Sequence, residues 1–422
     1  MFKFLLKGIF RDRHRYLFPL LIVSSGVAIM IFTMAFMNGY EDSFIRQNAR
    51  FETGHLKIVT NAYAEMISMK PFDLGLLEIE AELEEWKAAY PQVQWVQRIN
   101  FGALLDVPDA NLETRAQGEV MGFAVDLLRF NSEREYLHLD ESLVKGRLPA
   151  KRGEALVSDS AFERLGLHLG DEVTLIGSTV FGAMSMQNFI VSGTVNFGVE
   201  SLDRGAVIAD IQDVRVMLDM EGGAGEILGF LPDGIYDQKE ADRVKADFNR
   251  RFSGDDEFDP VMLTLADQGI MGYLIRVMSS TLGIMSLVLT IILGIVLWNS
   301  GLMNGIRRYG EFGVRLAIGE RKVHVYRGLV AEAVVIGIIG SIIGAGLGLL
   351  ISLYFNTHGM DVSAYNRSSS ILSENMIYTS ISIYTAFYGF IPGVLSTVLG
   401  AALAGIAIFR RQTSQLFKEL EV

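Results

Sequence analysis

The sequence predicts a membrane protein with four transmembrane α-helices and a large α+β extracytoplasmic domain between the first and second of them. Three observations carry this. Tyr16–Tyr40 is a run of 25 residues without a formal charge. More than 200 mostly polar residues separate it from further apolar runs at 277–306, 333–360 and 375–409. Basic residues crowd some run ends and avoid others. Each run exceeds the roughly 20 apolar residues that cross a bilayer, and mean hydropathy is +0.31. The first run is longer than the roughly 7–15 residues of a signal-peptide apolar core. No small-x-small cleavage site follows it, so it reads as a retained span.

Orientation follows from the basic residues at the span ends. Lys3, Lys7, Arg11, Arg13 and Arg15 precede the first span. Arg307, Arg308, Arg315, Arg321, Lys322 and Arg327 lie between the second and third, and Arg410, Arg411 and Lys418 follow the fourth. The loop between the third and fourth holds only Arg367. Both termini and the 307–327 loop are therefore expected in the cytoplasm, with the insertion outside. Residues 41–276 hold 22 Lys+Arg and 41 Asp+Glu, a formal −19, against +7 for the rest. So acidic a domain repels nucleic acid and keeps the outer part soluble. The chain has no cysteine, which excludes disulfides, thiol nucleophiles and cysteine metal sites.

In order, the elements are these. Residues 1–15 carry an amphipathic elbow helix, with Phe2, Leu5, Leu6 and Ile9 on one face and Lys3 and Lys7 off it. The first span and its projection cover 16–50, where Phe36, Tyr40 and Phe44 recur at helical spacing. The outer domain takes 51–267, with about 116–200 inserted as a second subdomain. Its strand candidates are His55–Thr60, Val96–Val107, Gly118–Val125, Glu154–Ser158, Glu172–Gly177, Phe189–Val195, Ala206–Ala209 and Pro260–Leu265. Its helix candidates are Leu76–Tyr90, Ala161–Leu165, Ile211–Met220 and Gln238–Phe252. Strands and helices mix without strict alternation, which favours α+β. The second span and its approach cover 268–306, with Ile270, Leu274 and Met278 every fourth residue. At 1.5 Å per residue this helix reaches roughly 60 Å, about twice the apolar thickness of a bilayer. A cytoplasmic loop at 307–328, a third span at 329–356, an outer loop at 357–377, a fourth span at 378–409 and a tail at 410–422 complete the chain. Gly340, Gly344 and Gly348 form a stripe that lets helix backbones approach closely, and Pro392 is expected to kink the fourth span or mark its outer portion.

Chemistry is defined first by what is missing. There is no GxxxxGK[ST] phosphate loop and no Gly-Lys pair, so ATP is not bound in that way. The spans lack mid-membrane carboxylates, which argues against proton- or ion-driven transport. Glu332 stands at the inner end of the third span. Six scattered histidines show no metal-ligand spacing, and no GxSxG or HExxH occurs. The informative segment runs from Asn304 to Lys322. Basic clusters flank an apolar, glycine-punctuated core of Glu311, Phe312, Gly313, Val314, Arg315, Leu316, Ala317, Ile318 and Gly319. It suits docking in a groove of a cytoplasmic partner, and it equally suits a bare positive-inside loop.

Glu311–Gly319 resembles the coupling stretch of the FtsX-like permease superfamily, the MacB and lipoprotein-releasing (LolC/LolE) type of ABC transporter. That family has Glu-[Ile/Phe]-Gly-[Ile/Val]-x-x-Ala-[Ile/Leu]-Gly here; Arg315 stands one place earlier than the family's basic residue. Glu332, in Leu329-Val-Ala-Glu-Ala333, corresponds to the family's glutamate at the start of the third span. Met37-Asn-Gly-Tyr-Glu41 is similar to a LolC/LolE motif. Gly118–Asp126 and Leu143–Ser158 resemble strands of that family's outer domain. The tail 401–420 lacks the family's prolines. The stretch Ser178–Gln187, matching the hairpin that hooks a lipoprotein chaperone, also lacks its proline.

The resemblance implies a permease subunit without its own ATPase site. It would bind no cofactor itself, while two partner ABC ATPase subunits bind ATP and Mg. It would pair with a second copy or a paralogue. Glu311–Gly319 and Glu332 would couple to the ATPase. Met34, Met37, Tyr40, Met271 and Met278 would line a cavity for acyl chains, since methionine and aromatic side chains adapt to flexible ligands. Phe181, Met184 and Met186 would form the chaperone hairpin. Three functions fit: extraction of lipoproteins or lipids from the outer leaflet of the inner membrane, MacB-like export with a periplasmic adaptor and outer-membrane channel, or FtsX-like signalling to a cell-wall hydrolase.

Overall fold

The computed structural model describes residues 13–109, 111, 113–128, 133–197, 200–362 and 376–410. The amphipathic face at residues 2–9, the tail beyond Arg410 and most of the loop around Arg367 lie outside the described residues. The longer helices are α1 (Arg13–Asn48), α2 (Glu80–Ala89), α3 (Asp159–Arg164), α4 (Ile211–Leu218), α5 (Gln238–Phe252), α6 (Gly269–Ile306), α7 (Tyr309–Ala317), α8 (Lys322–His358) and α9 (Ile383–Arg410). Four of these, α1, α6, α8 and α9, contain stretches long and apolar enough to cross a membrane. Contacts divide the chain into a helical unit, built from residues up to 42, 278–361 and from 376 onward, and an outer unit built on 43–277.

In the helical unit small residues set the packing. A Cβ on Gly340 would lie 2.8 Å from the Val23 side chain, on Gly344 2.5 Å from the Ser24 carbonyl oxygen, and on Gly348 2.9 Å from that of Ala28. The glycine stripe of α8 therefore seats α1 directly against backbone. α9 lies between α6 and α8. Gly400 approaches the Trp298 carbonyl so closely that a Cβ would stand 2.2 Å from it, and Val394 and Thr397 cover Gly337. The other face of α6 is bare: Ile284, Leu287, Ile291 and Ile295 are exposed. α9 continues through Pro392 without interruption. Gly39, the glycine of Met37–Glu41, meets the segment before α9, and a Cβ there would fall 2.0 Å from the Tyr378 carbonyl oxygen. Ser380 donates its backbone N–H to the Ala35 carbonyl at 2.9 Å in the same contact.

The outer unit is built on one ten-stranded sheet. Its strands are β1 (Leu56–Thr60), β2 (Gln94–Pro108), β3 (Thr114–Val125), β4 (Leu143–Gly146), β5 (Glu154–Ser158), β6 (Glu172–Ser178), β7 (Met184–Val195), β8 (Ala206–Asp210), β9 (Glu226–Phe230) and β10 (Pro260–Thr264). The order is β10-β1-β9-β2-β3-β8-β5-β7-β4, with β6 joining β2 and β7. Pairs β3–β8 and β5–β7 are parallel, which gives the mixed sheet of an α+β domain. β2 is the long link. Its Gln94–Arg98 half pairs with β9 and its Ile99–Pro108 half with β3. One core packs Leu56, Ile58, Trp86, Ile227, Val244 and Phe248, with the Trp86 and Phe248 rings edge-on at 5.4 Å. A second draws its buried residues from between Ile99 and Met220, with Phe72 packed against it. A two-stranded ribbon, Met360–Asp361 with Met376–Ile377, closes the α8–α9 connection.

Several elements differ from expectation, each for a physical reason. α2 begins at Glu80, not Leu76, because Leu76 exchanges backbone hydrogen bonds with Ala224 at 2.8 Å in an isolated bridge. β7 begins at Met184, because Ser178–Met184 pairing lengthens the β6–β7 hairpin. The expected loop at 307–328 holds the helix α7, and α8 starts at Lys322, about two turns before the expected third span at 329.

Candidate functional site

The residues after α6 build a small helical site. α7 turns Tyr309, Phe312 and Gly313 inward, where they pack with Val325, Leu329 and Ala333 of α8 and Ala401 of α9. The Tyr309 hydroxyl donates to the Ala404 carbonyl at 2.9 Å. The opposite face carries Glu311, Val314 and Ile318, spaced three and four residues apart and therefore on one side of the helix. Val314 is exposed and Ile318 is 82% exposed. Of the residues singled out as a coupling stretch, Phe312 and Gly313 are buried, Arg315 and Leu316 half-buried, and Glu311, Val314, Ala317, Ile318 and Gly319 exposed.

Gly319 ends α7. Its φ of +99° lies in the left-handed region that only glycine takes without strain. Three backbone bonds of 3.1 Å, from Ile318, Gly319 and Glu320 back to Val314, Leu316 and Arg315, close the last turn. Arg315 grips Glu320 with two hydrogen bonds of 2.7 and 2.6 Å. The Arg315 guanidinium holds the Glu320 carboxyl below the usual carboxylate range.

Arg308 connects the exposed and buried parts. It donates to Glu332 on α8, and to both oxygens of Glu311 at 3.2 and 3.3 Å. Glu332 is 4% exposed, and its Oε1 has no hydrogen-bond partner among the described residues. A buried carboxylate at a helix–helix junction is costly unless paired, and Arg308 is the pair. The sequence reading gave Arg308 only a share of the positive-inside charge. Its three-residue spacing to Glu311 was the available signal.

The remaining nominated residues separate. Met34 is buried, and Met37, Tyr40 and Met278 are half-buried; nothing is described of the Met271 side chain. In the outer unit Phe181, Met184 and Met186 stand 74%, 70% and 57% exposed. Gly182 at φ +79° and a Thr179–Ala183 backbone bond of 2.7 Å form the hairpin tip. Its base is fixed to α4 by Val180 N–H to the Leu218 carbonyl at 2.9 Å and Ser185 Oγ to the Met217 carbonyl at 2.5 Å.

The outer unit also buries a polar cluster that sequence reasoning missed. Glu226 accepts from Lys57 at 2.6 Å, Asn100 at 2.8 Å and Tyr63 at 3.3 Å. Burial raises the Glu226 carboxyl most strongly, but the charges of Lys57, Lys70 and Arg98 and the Lys57 hydrogen bond together outweigh it and hold the group below the ordinary range. Arg98 and Glu133 form a buried bidentate pair at 2.7 and 2.9 Å. His55 Nδ1 accepts the Leu231 N–H at 3.0 Å, and burial lowers its pKa to about 4. Among the described residues no group of acids and histidines is placed to hold a metal.

Comparison with known proteins places this arrangement. The family described as MacB-like periplasmic core domain matches residues 19–246, and that described as FtsX-like permease C-terminal matches 283–413. The macrolide export ATP-binding/permease protein MacB of Neisseria gonorrhoeae is 32% identical over 117 residues, 28% of this chain and 17% of that protein. The probable syringafactin export ATP-binding/permease protein SyfD of Pseudomonas syringae pv. tomato is 24% identical over 208 residues, 46% of this chain and 30% of that protein. The chain thus spans less than a third of the length of these relatives. The crystal structure of the periplasmic region of MacB from Actinobacillus actinomycetemcomitans matches with a TM-score of 0.35 and 12% identity, over 52% of this chain and 93% of that one. Four apolar helices with a mixed-sheet domain after the first fit a permease-type membrane component. The chain belongs to the MacB-like, FtsX-like permease family.

Proposed function

We propose that this chain is the permease subunit of an ATP-driven transporter of the mechanotransmission type, extracting lipoproteins or lipids from the outer leaflet of the inner membrane. Two separate ATPase subunits dock on α7 from the cytoplasm and supply ATP and Mg, and a second permease copy or paralogue completes the assembly. The observation that supports this best is the division of α7. An acid and two apolar residues face outward on a helix whose inner face is fixed to α8 and α9. A bare positive-inside loop has no need of an exposed Val314 and Ile318. The Met37–Glu41 motif favours lipoprotein or lipid cargo, and the exposed Phe181–Met186 hairpin offers an apolar surface to a periplasmic chaperone or adaptor.

A second reading, MacB-like export with an adaptor and outer-membrane channel, is favoured by the relatives matched and by the proline-free hairpin. FtsX-like signalling is a third; so large an outer domain weighs against it. Copurification separates them. Acylated protein bound to the complex is the expected result for extraction, and depletion that leaves lipoprotein localisation intact would sink it. Docking is tested by Glu311→Lys, which is expected to abolish ATPase association and stimulated hydrolysis.

A further inference from the structure

The outer unit holds a cavity of about 440 Å³ beside the end of α1. Among the described residues its lining carries two arginines, Arg46 and Arg50, and no carboxylate. Such a lining stands out in a domain of formal charge −19. Arg46 is exposed and has neither a hydrogen bond nor an ion pair among the described residues. Arg50 is held, donating to the Leu137 carbonyl and lying 4.9 Å from the Phe51 ring centroid. The back wall is aromatic. Phe230 is 3% exposed, with the Tyr136 ring stacked on it at 4.2 Å and the His55 ring edge-on at 5.6 Å. The Tyr136 hydroxyl donates to Gln94 Oε1 at 2.6 Å, so Tyr136 offers the cavity its ring. His55 supplies one more donor. It is 2% exposed yet lines the cavity. Its Nδ1 accepts the Leu231 N–H and burial keeps the ring neutral, so the ring proton sits on Nε2. That N–H has no acceptor among the described residues, and a buried donor left unmade is costly.

Two guanidiniums and a buried imidazole N–H around an acid-free cavity suit an anion, since guanidinium pairs with carboxylate or phosphate through parallel hydrogen bonds. An inorganic anion would use the donors and leave the aromatic wall bare. The volume falls in the range of small-molecule sites. The rim is polar: Arg46, Gln94, His138 and Gly234 are exposed, which gives a hydrocarbon chain no track to follow. We infer that this cavity binds a small water-soluble organic anion, a phosphate or carboxylate carried on a flat ring, with Arg46 and His55 Nε2 as ligands of the anionic group and Tyr136 against the ring. The ligand joins Arg46 on α1 to the aromatic group at the end of β9. The chain passes from α1 to β1 through a π-helical turn, Ala49–Thr53, a geometry that gathers at functional sites.

The test uses the full chain in a non-ionic detergent, titrated with phenyl phosphate and with benzoate by isothermal calorimetry. Wild type is expected to bind at least one of them, and Arg46→Gln to bind it at least about tenfold more weakly, as the loss of a charge-assisted hydrogen bond implies. Arg46 has no contact of this kind to lose, so an unchanged thermal midpoint serves as the folding control. Tyr136→Leu is expected to weaken the ring-bearing probe about threefold or more and to leave inorganic phosphate unaffected. Binding of neither probe to wild type, or equal affinity in wild type and Arg46→Gln, overturns the proposal and leaves the cavity to water. Inorganic phosphate binding as tightly as phenyl phosphate also overturns it, since the aromatic wall then takes no part. So does displacement of the bound probe by phosphatidylglycerol at equal concentration, which would make the cavity a site for a lipid headgroup.

Discussion

The anchor of α7 is the part of the site whose energetics are best defined. Arg308 serves two acids in different surroundings: Glu332 is buried and Glu311 is exposed to solvent. Truncating Glu332 leaves a nearly buried guanidinium with only an outer partner. Breaking a buried pair costs about 3–5 kcal/mol, because the remaining charge stays desolvated. Truncating Glu311 removes a solvent-screened pair, worth about 0–1 kcal/mol. Glu332→Ala is therefore expected to lower the thermal midpoint of the detergent-solubilised chain strongly, and Glu311→Ala to leave it nearly unchanged. The double replacement Arg308→Met/Glu332→Leu should recover most of the loss, since an apolar substitute avoids the desolvation cost. ATPase stimulation should follow the opposite order, with Glu311 mattering beyond its stability. Equal destabilisation by Glu311→Ala and Glu332→Ala, or no recovery in the double variant, would refute the division into buried anchor and outward contact.

Four further outcomes are expected. Gly344→Leu places a side chain against the Ser24 carbonyl and should cost well over about 1–3 kcal/mol through overpacking, read as lost expression or a lowered midpoint. Gly346→Ala, with nothing within 4 Å of its Cβ, should be neutral or stabilising by up to about 1 kcal/mol. His55 is kept neutral by burial, with its pKa lowered from 6.5 to about 4. Its contribution, about 3 kcal/mol, is complete above pH 6.5 and lost as pH falls toward 4. Stability measured across that window should fall less steeply in His55→Gln, whose amide oxygen can still accept from Leu231. Phe181→Ser and Met184→Ser should change stability by less than about 0.5 kcal/mol, so any effect on cargo release, measured alongside the midpoint, reports on a partner rather than on folding.

Legibility in the sequence followed the physical origin of each feature. The apolar runs were plain because a bilayer imposes a length and a charge rule on any helix that crosses it. α5 was readable at both ends because Asp237 caps it, accepting from Lys239 at 2.8 Å, and its apolar stripe of Ala241, Val244 and Phe248 keeps helical period. α7 was read as a loop, since Gly310 and Gly313 lower helix propensity. Tertiary packing overrides them: Phe312 is buried outright, and Tyr309 and Gly313 are buried beside it. The clusters around Glu226 and Arg98–Glu133 were illegible because their members come from distant segments. Lys57 and Glu226 are 169 positions apart, and only the β1–β9 pairing brings them together.

The same contacts define how force can enter the helical unit. α7 is joined to α8 by Arg308–Glu332 and by Phe312 against Leu329 and Ala333. Farther along, α8 meets α1 through a close-packed stripe, Gly344 and Gly348 against the Ser24 and Ala28 carbonyls and Gly340 against the Val23 side chain, which leaves little slack to absorb a displacement. α6 makes no comparable use of its outer face. A push on Ile318 and Val314 therefore meets a stiff route through α8 to α1. If this route carries the stroke, Gly340→Ala/Gly348→Ala should reduce ATP-driven cargo release while ATPase docking on α7 persists. A loss of docking in that variant, or release at the wild-type rate despite an altered α1–α8 contact confirmed by cysteine cross-linking, would show that the stroke takes another path.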